Sequence, residues 1–320
     1  MKIFAYSVRP DEAGLFETYA RQFGIDLETT SYAPSLETCS LARGADAVSI
    51  VTTPVTEDIL KEFKSLGIRY ISTRTVGFEH IDIEAAKKLD IGVGNVSYSP
   101  HSVAEYAVML ILMSLRRMKT IMAKSTIQDY SLAGMQGREL HAQTVGVIGT
   151  GRLGKLVISL LKGFGCKILA YDIHQDESIA QDATYVSLDE LLQRSDVITL
   201  HVPGNHDGSH LLGNAEFAMM KDKVVLVNTA RGSLLDQSAF MDAVESGKIG
   251  YAALDVIADE RGLYFNYLAD KPLKNRDMSI LRSYPNVLVT PHTAFYTDLA
   301  VSDMVEHSLK ACMDYCAEHC

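Results

Sequence analysis

The sequence has no excess of cations: 30 Lys and Arg face 40 Asp and Glu, for a net charge of -10. That balance disfavours a surface built to neutralise nucleic-acid phosphates or anionic lipid headgroups, so neither is expected as a partner. A bilayer-spanning stretch is missing as well. The longest apolar run, around Ala107 to Leu115, is bounded by Glu105 and Arg116 and reads as a buried helix. The opening MKIFAYSVRP lacks the apolar core and small-residue cleavage site of a secretory signal, and a cytoplasmic protein is expected. Cysteine is scarce: Cys39, Cys166, Cys312, Cys316 and Cys320 form an odd set without framework spacing, which suits free thiols in a reducing compartment. Matching repeats of 20 to 50 residues are absent, and so is low-complexity sequence.

What is present is an ordinary globular composition, 47% apolar and 22% charged, in a chain of 320 residues that can bury two cores. The first hundred residues alternate short β-rich runs with amphipathic segments. KIFAY, a helix around Asp11 to Phe23, DLETT, a short helix near Leu36, DAVSIV, the helix TEDILKEFKSLG, RYIST, the helix IDIEAAKKL and GVGN follow one another. Thr56 is placed to cap the second long helix and Gly67 to end it. Five strands with intervening helices predict a parallel, flavodoxin-like sheet. Pro100 suits the start of a long apolar helix from about Ser102 to Met118. A second rhythm opens at Thr144, where TVGVIG, KILAYD, DVITLHV, VVLVNT, GYAALDV and NVLVTPH predict six strands of a Rossmann domain. The tail from Asp298 has helical apolar spacing at Leu299, Met304, Val305, Leu309, Cys312 and Met313 and is expected to pack back on the first domain.

Gly149, Gly151 and Gly154 stand in G-x-G-x-x-G spacing between an apolar strand and a helix, with Arg152 and Leu153 inside the loop. The first glycine permits a tight turn, the second lets the backbone approach a pyrophosphate, and the third lets helix and strand pack closely. The helix N-terminus then offers N–H donors to the diphosphate. Asp172 ends the next strand, where a carboxylate can accept from ribose hydroxyls and repel a 2′-phosphate. NAD is therefore the expected cofactor.

Three polar residues sit beside later strands: Arg231 in NTARGSLLD, Glu260 after ALDV, and His292 in VTPHTAFYT. Each alone can be a surface cation, one acid among several, or a structural histidine. Together they stand at strand ends, where open α/β sheets bind ligands. Cys312, Cys316, Cys320 and His319 invite a metal-site reading, but Cys312 continues an apolar stripe and the others lie at a chain end. His201, His206 and His210 lie in one loop. No metal is expected.

ISTRTVG at 71 to 77, NVSYSPHSVAEYAV at 95 to 108, GTGRLG, ITLHVP, NTARG, ALDV and TPHTAFYT occur in an order that resembles the D-isomer-specific 2-hydroxyacid dehydrogenases across essentially the whole chain. Within the family the match runs closest to the D-lactate dehydrogenases. The resemblance implies an α/β protein in which a Rossmann NAD-binding domain, 100–292, is inserted into a discontinuous flavodoxin-like substrate domain, 1–99 and 293–320, with the active site in the cleft between them. It implies His292 as general acid/base, Glu260 as the group that fixes its tautomer, and Arg231 as the ligand of the substrate carboxylate. Val76 and Gly77 would bind that carboxylate through backbone N–H groups, and Tyr98 is a substrate-pocket candidate. Asp255 would lie near the nicotinamide carboxamide, Val202 and Pro203 on the adenine side, and Thr229 and Ala230 against the cofactor by backbone. A homodimer is implied too. Gly208 departs from the pattern, since several lactate-type members carry a polar residue there. Phenylpyruvate and 2-oxoglutarate stay open as substrates, with Thr52 and Thr53 leaving room for a larger keto acid. An NADH-sensing binding protein is the rival from another class.

Overall fold

The computed structural model describes residues 1–204, 208–260 and 262–319. The chain divides into two compact units, Met1–Ser99 with the segment from Tyr296 onward, and Pro100–Phe295. The first unit begins β1 (Lys2–Ala5), α1 (Pro10–Phe23), β2 (Asp26–Thr29), β3 (Ala47–Ile50), α2 (Glu57–Ser65), β4 (Tyr70–Thr73), α3 (Ile83–Lys88) and β5 (Gly92–Asn95). The second runs α4 (His101–Leu115), α5 (Met118–Thr126), β6 (Thr144–Ile148), α6 (Arg152–Lys162), β7 (Lys167–Tyr171), β8 (Thr184–Tyr185), α7 (Leu188–Arg194), β9 (Val197–Leu200), α8 (Asn214–Met219), β10 (Val224–Asn228), α9 (Gln237–Glu245), β11 (Ile249–Leu254), α10 (Arg276–Ser283) and β12 (Val287–Val289). Helix α11 (Asp298–His319) then belongs to the first unit.

In the first unit the strand order is β2-β1-β3-β4-β5, all parallel, which is the flavodoxin-like order. Every residue of β3 and β4 is buried, as expected of central parallel strands covered on both faces. Alternate side chains divide between two layers. Phe4, Val48, Ile50 and Ile71 pack with Leu60 and Phe63 of α2, while Ile3, Ala5, Ala47 and Tyr70 pack with Phe16 of α1 and Val305, Leu309 and Cys312 of α11. Helix α1 starts at Pro10, whose fixed φ suits a first turn, and Glu12 accepts the Arg9 N–H at 3.0 Å.

A polar network runs through this unit. Arg74, directly after β4, is fully buried, and its guanidinium donates to Glu12 (3.3 Å), Ser49 Oγ (3.0 Å) and the carbonyls of Tyr6 (2.9 Å) and Ser7 (3.2 Å). Ser49 Oγ lies 2.7 Å from Ser308 Oγ of α11, which donates to Ser72 Oγ at 2.9 Å. Glu12 is itself fully buried, so its removal alone would strand a charged guanidinium at a cost of about 3–5 kcal/mol.

The second unit holds a seven-stranded parallel sheet in the order β12-β11-β10-β9-β6-β7-β8. The order reverses at β6, between β9 and β7, and such a switch point opens a crevice beyond the strand C-termini. Val145, Val147, Val225, Val227 and Ala253 face α4 and α6 in one core layer. Ile198, Leu200, Leu226 and Leu254 face Phe217 of α8 and Phe240 of α9 in the other. Among the described residues no helix is long and apolar enough to cross a membrane.

Several elements differ from the sequence expectations. The helix expected from Ser102 to Met118 stops at Leu115, because Arg117 takes a left-handed φ of 53°, and a separate helix, α5, follows. The six expected Rossmann strands are joined by the two-residue edge strand β8. The short helix near Leu36 is a 3-10 turn at Cys39–Ala42, and Leu36 is exposed. Thr56 occupies the N-cap of α2 without a capping bond from its side chain. Leu299 is exposed rather than part of the α11 stripe, whose buried members include Ala300, Val301 and Cys316. The second unit extends to Phe295 rather than 292 because the N–H groups of Thr293 and Ala294 are bound by Asp255 of that unit.

Candidate active site

The glycine loop has the shape a dinucleotide needs. Gly149 has φ +95°, and a Cβ there would lie 2.5 Å from the His201 carbonyl oxygen. A Cβ on Gly154 would lie 1.9 Å from the Gly149 oxygen. Gly151 is the opposite case: it caps α6, and nothing stands within 4 Å of where its Cβ would be. Two glycines are thus required by packing, and the third keeps space open before a helix N-terminus that carries Arg152 and Leu153.

Asp172 accepts from the Thr150 N–H (2.6 Å) on one oxygen and the His174 N–H (2.9 Å) on the other. Burial pushes its carboxyl upward, but these N–H bonds outweigh it and hold the group below the usual carboxylate range. It is therefore an anion at neutral pH, half-buried at the end of β7. Val202 is half-buried and Pro203 exposed in the loop after β9. Thr229 is buried with its Oγ1 lacking a hydrogen-bond partner among the described residues, an orphan hydroxyl of the kind a bound polar group satisfies. These features fit a dinucleotide.

Arg231 stands in the turn after β10. Asn228 ties that turn down, its Nδ2 donating to the Arg231 carbonyl (2.8 Å) and its Oδ1 accepting the Ala230 N–H (3.0 Å). The half-buried guanidinium donates to the Ala230 carbonyl at 2.8 Å. Gly232 presses directly on the next turn, where its Cβ would lie 2.0 Å from the Ile257 carbonyl carbon. The turn it touches carries Glu260, whose Oε2 accepts the Ile257 N–H at 3.3 Å.

Glu260 Oε1 lies 2.6 Å from His292 Nδ1, with the two side chains 26% and 31% exposed. A carboxylate only accepts, so the proton of this contact sits on Nδ1 and Nε2 is the nitrogen left for chemistry. His292 has φ +53°, a left-handed conformation that costs about 1–2 kcal/mol for a residue with a Cβ. Its N–H offsets this by donating to the carbonyls of Asp255 (2.8 Å) and Thr290 (3.0 Å). The rings of Phe265 and Phe295 flank the imidazole at 6.1 and 6.4 Å between centroids.

Asp255 directly follows β11. Its side chain is fully buried and accepts from Thr290 Oγ1 (2.6 Å), the Thr293 N–H (3.0 Å) and the Ala294 N–H (2.9 Å). These bonds shape the turn that holds His292. Gly208 is exposed at φ +75°, a conformation that favours glycine over the polar side chain of lactate-type sequences.

In the first unit, three successive carbonyls of the loop after β4 are tied back. The Thr75 carbonyl accepts from the Val96 N–H (3.1 Å), that of Val76 from Asn95 Nδ2 (2.6 Å), and that of Gly77 from Thr75 Oγ1 (2.6 Å). The N–H groups of Val76 and Gly77 have no acceptor among the described residues. Tyr98 is half-buried in a segment fixed to α11 through the Ser99 N–H and Asp303 (2.9 Å). Thr52 is exposed and Thr53 half-buried just past β3.

The histidines of the loop after β9 stand in separate environments, while Cys312 and Cys316 share one core layer. His201 shares a hydrogen bond with Thr199 (3.0 Å), and burial holds it down to about 3, so its ring is neutral. His210 binds the Ser233 carbonyl (2.8 Å), and His319 stacks on Tyr315. His206 and Cys320 lie outside the described residues. Sequence reasoning missed Asn228, Gly232, Asn95 and Phe265; the first two lie inside the NTARG motif, where they carry no chemistry of their own to notice.

Comparison with known proteins matches residues 108–294 to the D-isomer specific 2-hydroxyacid dehydrogenase NAD binding domain. An aromatic 2-oxoacid reductase of Clostridium sporogenes is 42% identical over 97% of this chain and 94% of its own length. A D-lactate dehydrogenase of Leuconostoc mesenteroides subsp. cremoris is 39% identical over 98% and 96%. Among solved structures, a D-2-hydroxyisocaproate dehydrogenase superposes with a TM-score of 0.91 at 37% identity, covering 99% of this chain and 97% of that one. The NAD-complexed D-isomer specific 2-hydroxyacid dehydrogenase of Lactobacillus delbrueckii ssp. bulgaricus gives 0.87 at 30% identity, with 99% and 98% covered. With that likeness along its whole length and a glycine loop and aspartate that fit the dinucleotide, the chain belongs to the D-isomer specific 2-hydroxyacid dehydrogenases and is an NAD-dependent oxidoreductase of that family.

Proposed function

We propose that this chain reduces pyruvate to D-lactate, with Arg231, Glu260 and His292 as its working side chains. The observation that carries the reading is the 2.6 Å contact between His292 Nδ1 and Glu260 Oε1. With Nδ1–H held there, Nε2 gives its proton to the keto oxygen and is left as the unprotonated nitrogen of a neutral ring. When bound, NADH supplies the hydride for the keto carbon. Arg231 binds the substrate carboxylate and polarises the carbonyl, work that suits a planar and permanently charged fork. Val76 and Gly77 offer their unpaired N–H groups to a carboxylate oxygen, and Tyr98 borders the substrate. For the cofactor, the loop from Gly149 through Arg152 and Leu153 to Gly154 takes the pyrophosphate, and Asp172 the ribose. Val202 and Pro203 serve the adenine side, and Thr229 and Ala230 approach the cofactor by backbone. Asp255 lies near the nicotinamide carboxamide.

A second reading, an aromatic 2-keto acid as substrate, is favoured by the Phe265 and Phe295 rings beside His292. Comparing kcat/KM on pyruvate, phenylpyruvate and 2-oxoglutarate decides: a pyruvate value far below the others removes the lactate reading. Among the described residues, the free thiols Cys39, Cys166, Cys312 and Cys316 suit a cytoplasmic setting. Helix α5 buries none of its residues and exposes Met122, with Ile127, Tyr130 and Leu132 exposed beyond it, which supports a homodimer; sedimentation at micromolar protein tests this.

A further inference from the structure

The Val76–Gly77 loop is held by one long-range side-chain contact. Asn95, the last residue of β5, donates from Nδ2 to the Val76 carbonyl at 2.6 Å. A planar trans peptide directs its carbonyl and its N–H to opposite sides. The carbonyl of Val76 and the N–H of Gly77 belong to one such plane, so drawing the carbonyl onto Asn95 turns the Gly77 N–H away from β5. A carbonyl that accepts a hydrogen bond also polarises its own peptide and makes the attached N–H a stronger donor. The preceding peptide is arranged in the same way by the backbone, through the Val96 N–H and the Thr75 carbonyl at 3.1 Å.

Asn95 is exposed, so this contact is not a product of core packing. Its amide serves as a donor to a surface loop whose two outward N–H groups have no acceptor among the described residues. We propose that Asn95 is a positioning residue for the substrate carboxylate, acting through the Val76–Gly77 peptide. The proposal rests on the reading of Val76 and Gly77 as carboxylate donors. Asn95 touches no reacting atom in this scheme; it fixes the direction and strength of a donor that does.

The test is steady-state kinetics of Asn95→Ala and Asn95→Asp, varying the keto acid at saturating NADH, with Tm and the KM for NADH measured alongside. Losing the amide donor is expected to raise the keto-acid KM roughly threefold to tenfold, as for one net hydrogen bond, with kcat, the KM for NADH and Tm unchanged. Asn95→Asp is expected to raise it further, since an ionised carboxylate cannot donate and repels the Val76 oxygen. The inhibition constant of oxalate, which offers a carboxylate without reacting, should rise in parallel. An unchanged keto-acid KM in both variants overturns the proposal, and so does a loss that falls on Tm, kcat or NADH instead. Arg231→Lys separates the two levels. If it raises the keto-acid KM while the Asn95 variants do not, the Asn95 proposal alone falls; if neither raises it, the reading of the site has failed as well.

Discussion

Gly232→Ala tests whether the Arg231 turn and the Glu260 turn act as one packed piece. The new Cβ would lie 2.0 Å from the Ile257 carbonyl carbon, 2.2 Å from its oxygen and 2.4 Å from the Ala258 nitrogen. Ordinary carbon contacts begin at about 3.5 Å, so the two turns must part by about 1.5 Å. All three obstructing atoms are backbone, and no side-chain rotation relieves the clash. Overpacking of this kind costs about 1–3 kcal/mol, which for a unit of this size lowers Tm by roughly 2–12 °C. The catalytic cost is expected to be larger in proportion. Arg231 and Glu260 ride on the parting segments, and a misplacement of about 1 Å can cost on the order of 10²-fold in rate. Loss of NADH absorbance with pyruvate and with phenylpyruvate gives kcat/KM, and a thermal melt gives Tm. A variant with kcat/KM within about threefold of wild type and an unchanged Tm would refute the argument that these turns are locked by contact.

Gly151→Ala makes the contrasting case: with nothing within 4 Å of the new methyl, Tm should hold, while a dinucleotide's approach is obstructed and NADH binding, read by its fluorescence, weakens on the order of tenfold or more. Asp172→Ala removes an anion that repels a 2′-phosphate, so the ratio of kcat/KM for NADH over NADPH should fall, and an unchanged ratio would count against the ribose assignment. His292→Ala is expected to lower kcat on the order of 10²- to 10⁴-fold with little change in NADH binding, as measured by single-turnover rates and fluorescence titration. For pH, burial pushes the Cys39 thiol up from 9.0 to about 11. Below pH 9 the thiol is neutral folded or unfolded; above it the unfolded chain releases the proton first, so this stabilisation is lost as pH rises from 9 to about 11. Melts across that window should show a Tm slope that Cys39→Ala reduces.

Much of the fold was legible because parallel strands covered on both faces must be predominantly apolar runs, as AVSI and VVLVN are. The glycine loop was legible because two of its glycines answer to sterics that no other residue satisfies. The break at Arg117 was not, since neither glycine nor proline marks it and the left-handed turn is taken by an arginine. Strand β8 has two residues and offers no period to read. The pairing of Glu260 with His292 spans 32 positions, and only family resemblance suggested it. The bonds from Thr293 and Ala294 to Asp255 were not legible either, since those partners lie 38 and 39 residues away. Arg74 went unremarked because a lone arginine in a sequence looks like a solvated cation, whereas here it is fully enclosed.

The serine ladder that joins β3 and β4 to α11 also sets an order of events during synthesis. Ser49 and Ser308 are 259 residues apart, yet their hydroxyls meet in the interior of one core. At about 5–20 residues per second, a ribosome needs roughly 13–50 s between them. For that interval the sheet face that takes Val305, Leu309 and Cys312 lacks α11, while the Pro100–Phe295 unit is being synthesised. The first unit is thus begun first and finished last, and the period in which its apolar sheet stands open is when a nascent-chain chaperone has the most to protect.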